Sequence, residues 1–583
     1  MASSGVRESN RSRASVPGAQ PTPLPPRHHF PRALAWAIGL AVAFGVLVRF
    51  AGLDTQVHTA DEAWTSLRLA ARFDAEVASF YDGRVHSIAE WRRGFQTATP
   101  DRPVSRTVAA LAHDESHWPP LYYVVARGWA LAFGSDLAVL RLLSAILGTL
   151  AIAAAYWFGW ELTRSRLAAA LFTAFIAVSP LVVSLTRAAR GYALYILLLL
   201  VSCAALLRAL DRPERRWWLL YAASALLALY TNFLMICAFA GQALFVAIHE
   251  RRRPAIVKRY ALWAVPVALA YLPWFAVVAL HRGQDLQILP TGVQRFDYPL
   301  ATFIVPSLSW NAIVTFFALP YDVPAVTPLV AAILALAVGA CAYVVRFAPP
   351  RVRTFLLSLA LPICLFLGAI DVKSHTAMRT VTQYELPAQI ALACAVAAAV
   401  AWWVQSTPPR LRRAWFGVVI VLLFGAAASS ATIARATYTW LAWDDGYARP
   451  MAAIVEAGRR PLLVERGDGD PGTPVLANLR TDRAALQLLR SDARVVHPAA
   501  GYDATFVLSR GETIPYRVVL PRGQRLERAF VEREDASQAY RFYDWTNGIR
   551  RMLTRRAVAD KAQLVRYTLW RVVPAAPLTA RAR

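Results

Sequence analysis

The sequence predicts an α-helical polytopic membrane protein carrying a small α/β domain at its C-terminal end, and three observations predict it. The 583 residues are 57% hydrophobic and 17% charged with a mean hydropathy of +0.38, too apolar for a soluble chain of this length. Between residues 33 and 433, apolar runs long enough to cross a bilayer, about 20 residues at ~1.5 Å each, recur again and again. From residue 434 onward the pattern changes to short β-rich runs between polar stretches.

Taken in order, residues 1–32 are rich in Ser, Pro and Arg and read as a disordered cytoplasmic tail. The run 33–50 is an uncleaved first span, followed by a large polar outer loop, 54–117. Ten further runs follow at 137–160, 167–185, 192–207, 217–233, 234–248, 260–280, 325–345, 354–370, 386–404 and 414–433, giving about eleven spans in a transmembrane domain 33–433. With the tail inside, the connections 161–166, 208–216, 249–259, 346–353 and 405–413 are cytoplasmic, and every one carries Lys or Arg. The formal charge of +26 therefore signals orientation before nucleic-acid binding, and no nucleic-acid partner is expected. The connections 54–117, 186–190, 281–324 and 371–385 fall outside.

The segment 119–133 is short, holds Arg127 and opens with two prolines, so it is expected along the outer interface. The segment 300–319, with Pro306, Ser307, Ser309 and Asn311, is expected to be interfacial or re-entrant. The tail 434–583 reads as strands at 461–465, 504–509, 516–520 and 564–573 with helical stretches such as 482–489, a small α/β domain placed on the outer face. All five cysteines lie in apolar runs, which indicates neither a disulfide framework nor a cysteine zinc site. One G-x-G-x-x-G string, 467–472, carries Asp468, Asp470 and Pro471 and suits a solvated turn better than a phosphate cradle.

Four polar groups fall on the outer side of this topology. The first is Asp61-Glu62 in HTADEAWTSLRLAARF, where Trp64, Leu67, Leu69 and Phe73 mark the apolar face of a surface helix. Adjacent carboxylates there can supply a general base. The spacing Thr59-x-x-Glu62 equally fits a capping box, and acids are favoured at a helix start, so both readings stay open. The second group is His113, Asp114, Glu115 and His117, able to orient a substrate or to form an ordinary solvated turn; no metal is assigned, and a divalent cation is not favoured. The third is Arg187 and Arg190 with Tyr192 beside them, suited to a lipid phosphate or to headgroup anchoring. The fourth, Lys373, His375, Arg379, Tyr384 and Glu385, admits the same two readings.

Four phrases together resemble a known family: Asp61-Glu62 after the first span, ESHWPPLYY at 115–123, SPLVVSLTRAARGYALY at 179–195 and YTNFLMICAFAGQALF at 230–245. They are similar to the multi-spanning lipid-linked sugar transferases of the GT-C superfamily, especially the bacterial relatives of protein O-mannosyltransferases and aminoarabinose transferases grouped as glycosyltransferase family 39. The likeness covers about the first half of the chain, and Trp118 departs from the pattern by standing between His117 and the prolines.

The resemblance implies an inverting transfer from a polyprenyl-phosphate or diphosphate sugar to an extracytoplasmic hydroxyl at a bacterial inner membrane. Asp61 would be the general base and Glu62 its helper or a cap. Arg187, Arg190 and Tyr192 would hold the donor phosphate, with Arg379 a looser match to a later element of the family. No cofactor beyond the donor is implied. The partners would be membrane lipid, the lipid-linked donor, and a glycan, lipid or protein acceptor.

Two other classes share such a composition. A transporter or flippase would show ionisable residues deep in its spans, paired broken helices and an internal repeat, whereas here charges crowd the span ends and no convincing repeat is found. An inactive assembly subunit of an envelope glycan pathway would be favoured by loss of Asp61, which is present.

Overall fold

The computed structural model describes residues 32–280, 301–318, 327–374, 378, 381–437, 448–467, 474–533 and 565–575. The first helix is α1 (Arg32–Phe50), and the loop after it holds α2 (Ala60–Leu69), α3 (Asp74–Ala78), strand β1 (Asp82–Ser87), α4 (Ile88–Phe95) and α5 (Val104–Asp114). Then come α6 (Leu121–Phe133), α7 (Leu137–Thr163), α8 (Arg166–Val178), α9 (Pro180–Leu185), α10 (Tyr192–Asp211), α11 (Arg215–Leu229), α12 (Met235–His249) and α13 (Pro254–Leu280). The helical part closes with α14 (Ala301–Phe316), α15 (Thr327–Arg346), α16 (Pro350–Ser374), α17 (Leu386–Ser406) and α18 (Pro409–Arg435).

Among the described residues, eight helices are long and apolar enough to cross a membrane: α1, α7, α10, α13, α15, α16, α17 and α18. This is a multi-pass membrane protein. The three other runs expected to cross are shorter or broken. The run 167–185 is split into α8 and α9, because Ser179 leaves the helix and its side chain accepts the Val182 N–H while Pro180 starts the next one. Helices α11 and α12 have 15 residues each and meet at a tight turn whose Tyr230 carbonyl accepts the Leu121 N–H of α6. Helix α14, at 16 residues, falls short of a full span and packs against α9, α15, α17 and α18.

The long helices separate two polar faces. Arg141 in the first turns of α7 and Glu161 in its last turn are twenty residues apart in the sequence, about 30 Å at ~1.5 Å per residue. At the Glu161 end the basic connections gather. Arg208 and Arg164 meet Glu161 at 3.0 Å and 2.7 Å, and Arg351 grips Asp211 at 2.5 Å and 2.9 Å, so the connections 161–166, 208–216 and 346–353 share one face. At the Arg141 end lies the first loop, called here the loop face.

Helix α6 stays on the loop face. Its Tyr122, Tyr123, Ala126, Arg127 and Ala130 are buried, and the Arg127 guanidinium donates to the carbonyls of Leu69, Thr99 and Arg102, tying the first loop down.

The C-terminal strands are β2 (Pro461–Gly467), β3 (Ala485–Arg490), β4 (Val495–Val496), β5 (Ala504–Arg510), β6 (Arg517–Val518), β7 (Gln524–Arg533) and β8 (Val565–Pro574), with helices α19 (Ala448–Glu456) and α20 (Pro474–Asn478). Two sequence expectations need correction. The stretch 482–489 is not helical: Leu486, Gln487 and Leu488 are all buried in strand β3, covered on both faces, so a two-residue alternation is hidden. Nor is the tail's sheet built from the tail alone. Its order is β1-β3-β2-β5-β8-β7, and β1 comes from the first loop, antiparallel to β3 with Val85 opposite Gln487. Loop residues Leu67, Tyr81, Ile88, Trp91 and Phe95 share one core with Met451, Leu463, Leu476 and Leu486 of the C-terminal region. The first loop and the C-terminal region therefore form one layer on the loop face.

Candidate functional site

Helix α2 begins as its spacing predicts. The Thr59 side chain accepts the Glu62 N–H, and the Glu62 carboxylate accepts the Thr59 N–H at 3.2 Å, closing a capping box. Glu62 is 1% exposed and its carboxylate is fully engaged. Arg141 grips it with two bonds of 2.8 Å and 2.6 Å, and the Ala189 N–H donates to it at 2.8 Å. Burial alone would raise its pKa, but the Arg141 charge, its hydrogen bonds and the Ala189 amide outweigh that and hold the group at about 2. Glu62 thus pins three elements together: α2, α7 and the 186–190 turn. Gly148 on α7 permits the third contact, since a side chain there would strike Thr186.

Asp61 differs from its neighbour. Its side chain is 50% exposed, and its ion-pair partner is Arg190, with Nη2 3.5 Å from Oδ1. Arg190 is nearly buried. Its Nη1 donates to the Asp61 carbonyl at 3.0 Å, to Thr65 Oγ1 at 3.2 Å and to Tyr123 OH at 3.3 Å, while its guanidinium lies over the Trp118 ring at 4.2 Å. Its Nε is buried without a hydrogen-bond partner among the described residues. Tyr192 packs edge-on against Trp118, and Tyr192 and Tyr384 both lie within electrostatic reach of Asp61, with Gln383 bonded to Tyr192. The sequence-predicted Asp61, Arg190 and Tyr192, which come from two distant segments, therefore meet, and Tyr384 of the fourth polar group joins them.

Behind this cluster stands a second one. Arg68, fully buried, bonds Glu115 at 2.7 Å, Asp114 at 3.0 Å and Asp74 at 2.6 Å. Burial would raise the Glu115 pKa, but Arg68 and then Arg190 keep it below the usual carboxylate range. Asp74 goes the other way, pushed up to about 6 because its desolvation and the charges of Asp114 and Glu115 outweigh Arg68. Glu115 is thus held by Arg68 rather than facing open space. His117 packs beside Trp118, with ring centroids 5.6 Å apart.

The remaining sequence candidates part company with the cluster. Arg187 is buried and donates to the carbonyls of Val48, Ala51 and Gly52, where it caps the end of α1; cations suit that end of the helix dipole. Arg379 and His375 lie outside the described residues. Among the described residues, no group of three His, Cys, Asp or Glu side chains is arranged to hold a metal ion. A cavity of about 530 Å³ runs along the end of α18, lined by Ala428, Ala431, Thr432, Arg435 and Ala436 and by none of the Asp61 cluster.

Sequence reasoning missed Arg68, Arg141, Thr65, Tyr123 and Gln383. Arg68 and Arg141 left a signal: each is an arginine set among apolar residues of a helix, a charge that must meet a carboxylate or a row of carbonyls to be buried.

A multi-pass membrane protein with a buried arginine and a half-exposed carboxylate on one face is the class that fold and site define. Residues 117–278 match the family described as dolichyl-phosphate-mannose-protein mannosyltransferase, a stretch holding most of three of the four phrases on which the resemblance rests. The match takes in 162 of the 583 residues, and it shows that this stretch is similar to a family of sugar transferases. No curated protein matches the chain. Among solved structures, the chain is similar to ArnT from Cupriavidus metallidurans bound to undecaprenyl phosphate, at 14% identity and a TM-score of 0.45, covering 92% of this chain and 98% of that one. It is similar also to the Archaeoglobus fulgidus oligosaccharyltransferase in its apo form (12% identity, TM-score 0.44, covering 79% and 65%). A third is the arabinofuranosyltransferase AftD from Mycobacteria (16% identity, TM-score 0.39, covering 92% and 41%).

Proposed function

We propose that this protein moves a sugar from a polyprenyl-phosphate or diphosphate donor onto an acceptor hydroxyl, with inversion, on the extracytoplasmic side of a bacterial inner membrane. The observation that carries the proposal is the pairing of half-exposed Asp61 with buried Arg190. The sidedness rests on the arginine-rich connections gathered at the other face, which the positive-inside rule assigns to the cytoplasm.

In this reading Asp61 accepts the proton of the acceptor hydroxyl as its oxygen attacks the anomeric carbon. The bond from that carbon to the donor phosphate breaks, and its electron pair leaves on the phosphate oxygen. The products are the glycosylated acceptor and the polyprenyl phosphate or diphosphate, and the proton rests on Asp61. Arg190 pairs with the Asp61 carboxylate, and its unpartnered Nε is the donor left for the leaving phosphate, with Tyr192 as a neutral hydrogen-bond donor beside it. Glu62 has no free oxygen for chemistry and acts by holding α2 against Arg141 and Ala189. Arg187 holds the end of α1 through its two terminal nitrogens, and its Nε, like that of Arg190, is buried without a hydrogen-bond partner among the described residues.

The test is transfer of radiolabelled sugar from a panel of polyprenyl-phosphate donors by membranes holding matched amounts of wild type or Asp61→Asn. Activity should fall by about 10²- to 10⁴-fold with donor binding kept. Unchanged activity would remove Asp61 as the base, and a wild type inactive with every donor would overturn the transferase reading.

A further inference from the structure

The six residues between α1's turn and Thr59 form no regular structure, yet each of their carbonyls takes a side-chain donor. Arg141 supplies three of these, to Leu53 at 2.8 Å, Gln56 at 3.1 Å and Val57 at 2.7 Å. The other three come from the C-terminal region, some four hundred positions along the chain. Arg480 donates to Asp54 at 2.8 Å, Arg449 to Thr55, and Asn478 to His58 at 2.8 Å. The last contact is reciprocal, since the His58 N–H donates back to Asn478 Oδ1 at 2.9 Å. Both Asn478 and His58 are buried, and the His58 ring sits against the Ala477 carbonyl at 3.3 Å. Three residues further on is Asp61.

We infer that Asn478, with Arg449 and Arg480, is a positioning residue: the C-terminal region clamps the strap 53–58 and thereby sets where the Asp61 carboxylate stands. The inference rests on the transferase reading for its catalytic consequence.

An amide side chain that bonds both main-chain groups of one residue fixes that residue's place and orientation, as a neighbouring strand would. The rest of the layer is held independently by the shared core and by β1 pairing with β3, so the clamp is not needed to attach the region. What it adds is precision at the residues leading into α2. Misplacement of a catalytic group by about 1 Å can cost on the order of 10²-fold in rate. Strap and helix are coupled directly, because Thr59 is both the next residue after the clamped His58 and the N-cap of α2.

The experiment uses the full chain in lipid nanodiscs, comparing wild type, Asn478→Ala and the double variant Arg449→Ala with Arg480→Ala, whose side-chain bonds lie at exposed positions. Two quantities are read: kcat and KM for the donor, and hydrogen exchange of the amides from 57 to 63. Asn478→Ala should lower kcat about tenfold or more with the donor KM unchanged, and should speed exchange at His58 and in the first turn of α2; the double variant should do the same more weakly. Unchanged kcat in both variants, or a fall in kcat that only tracks the loss of folded protein, overturns the inference. If the wild type transfers from no donor, it is the transferase reading that fails, and the exchange data then decide the clamp alone: unaltered exchange in Asn478→Ala rejects it.

Discussion

The two ends of α7 carry the same pair of residue types and use them differently. At the loop face, Glu62 meets Arg141, whose side chain is 3% exposed; at the opposite face, Glu161 meets Arg208 and Arg164, which are 23% and 41% exposed. Both carboxylates are buried to the same degree, so the difference lies in the cations. Arg208 and Arg164 have water at hand, and their pairs tie connections together. Arg141 has none, and it spends its five donors on Glu62 and three strap carbonyls. Charges on the opposite face anchor helices at a boundary. Those on the loop face are largely committed inward, with Asp61 half open beside the buried Arg190.

The largest effect that would test this contrast is at Glu62. Glu62→Gln keeps the side-chain shape but strands the buried Arg141 charge, which should cost about 3–5 kcal/mol of stability. Because Glu62 titrates at about 2 when folded and near 4.5 otherwise, its contribution is fully present above pH 4.5 and is lost as pH falls toward 2. Thermal unfolding of detergent-solubilised protein at pH 7 and at pH 4 measures both. A Glu62→Gln variant as stable as wild type at pH 7 would break the distinction between the two ends.

Glu161→Gln is the matched change. Its partners relax into solvent once the carboxylate is gone, so the cost should be about 1 kcal/mol or less, with sugar transfer unaltered. A loss equal to that of Glu62→Gln would show that burial of the carboxylate, not of the cation, sets the effect.

What the sequence made legible was local. Apolar runs of bilayer length, the Thr59–Glu62 cap and the amphipathic start of α2 each lie within a few turns of chain, where spacing alone decides. What it hid was long-range. Nothing near Glu62 tells that Arg141, 79 positions on, will take its carboxylate, or that Asn478 will take the carbonyl of His58. The strand β3 reads as a helix in sequence because both of its faces are buried, Leu486 and Leu488 in the core shared with the first loop, Ala485 and Leu489 against Leu462, Val464 and Val507 on the other side of the sheet. Arg187 and Arg190, three residues apart, looked equivalent. Their neighbours separate them: Arg187 donates to the carbonyls at the end of α1, and Arg190 pairs with Asp61.

The smallest effect is a pH dependence on the loop face itself. Asp74 faces Arg68, Asp114 and Glu115; its desolvation first, and then the charges of the two other carboxylates, outweigh the one cation and push its carboxyl up to about 6 from 3.8. A raised carboxyl favours the folded state when protonated. Its contribution is therefore fully present below pH 3.8 and is lost as pH rises through 6. Asp74→Asn keeps an acceptor for Arg68 and removes the excess charge, so the difference in melting temperature between variant and wild type should grow in the variant's favour from pH 4 to pH 7. The side chain is 41% exposed, which keeps the shift modest. A difference that stays flat with pH would mean that Arg68 compensates all three carboxylates around it.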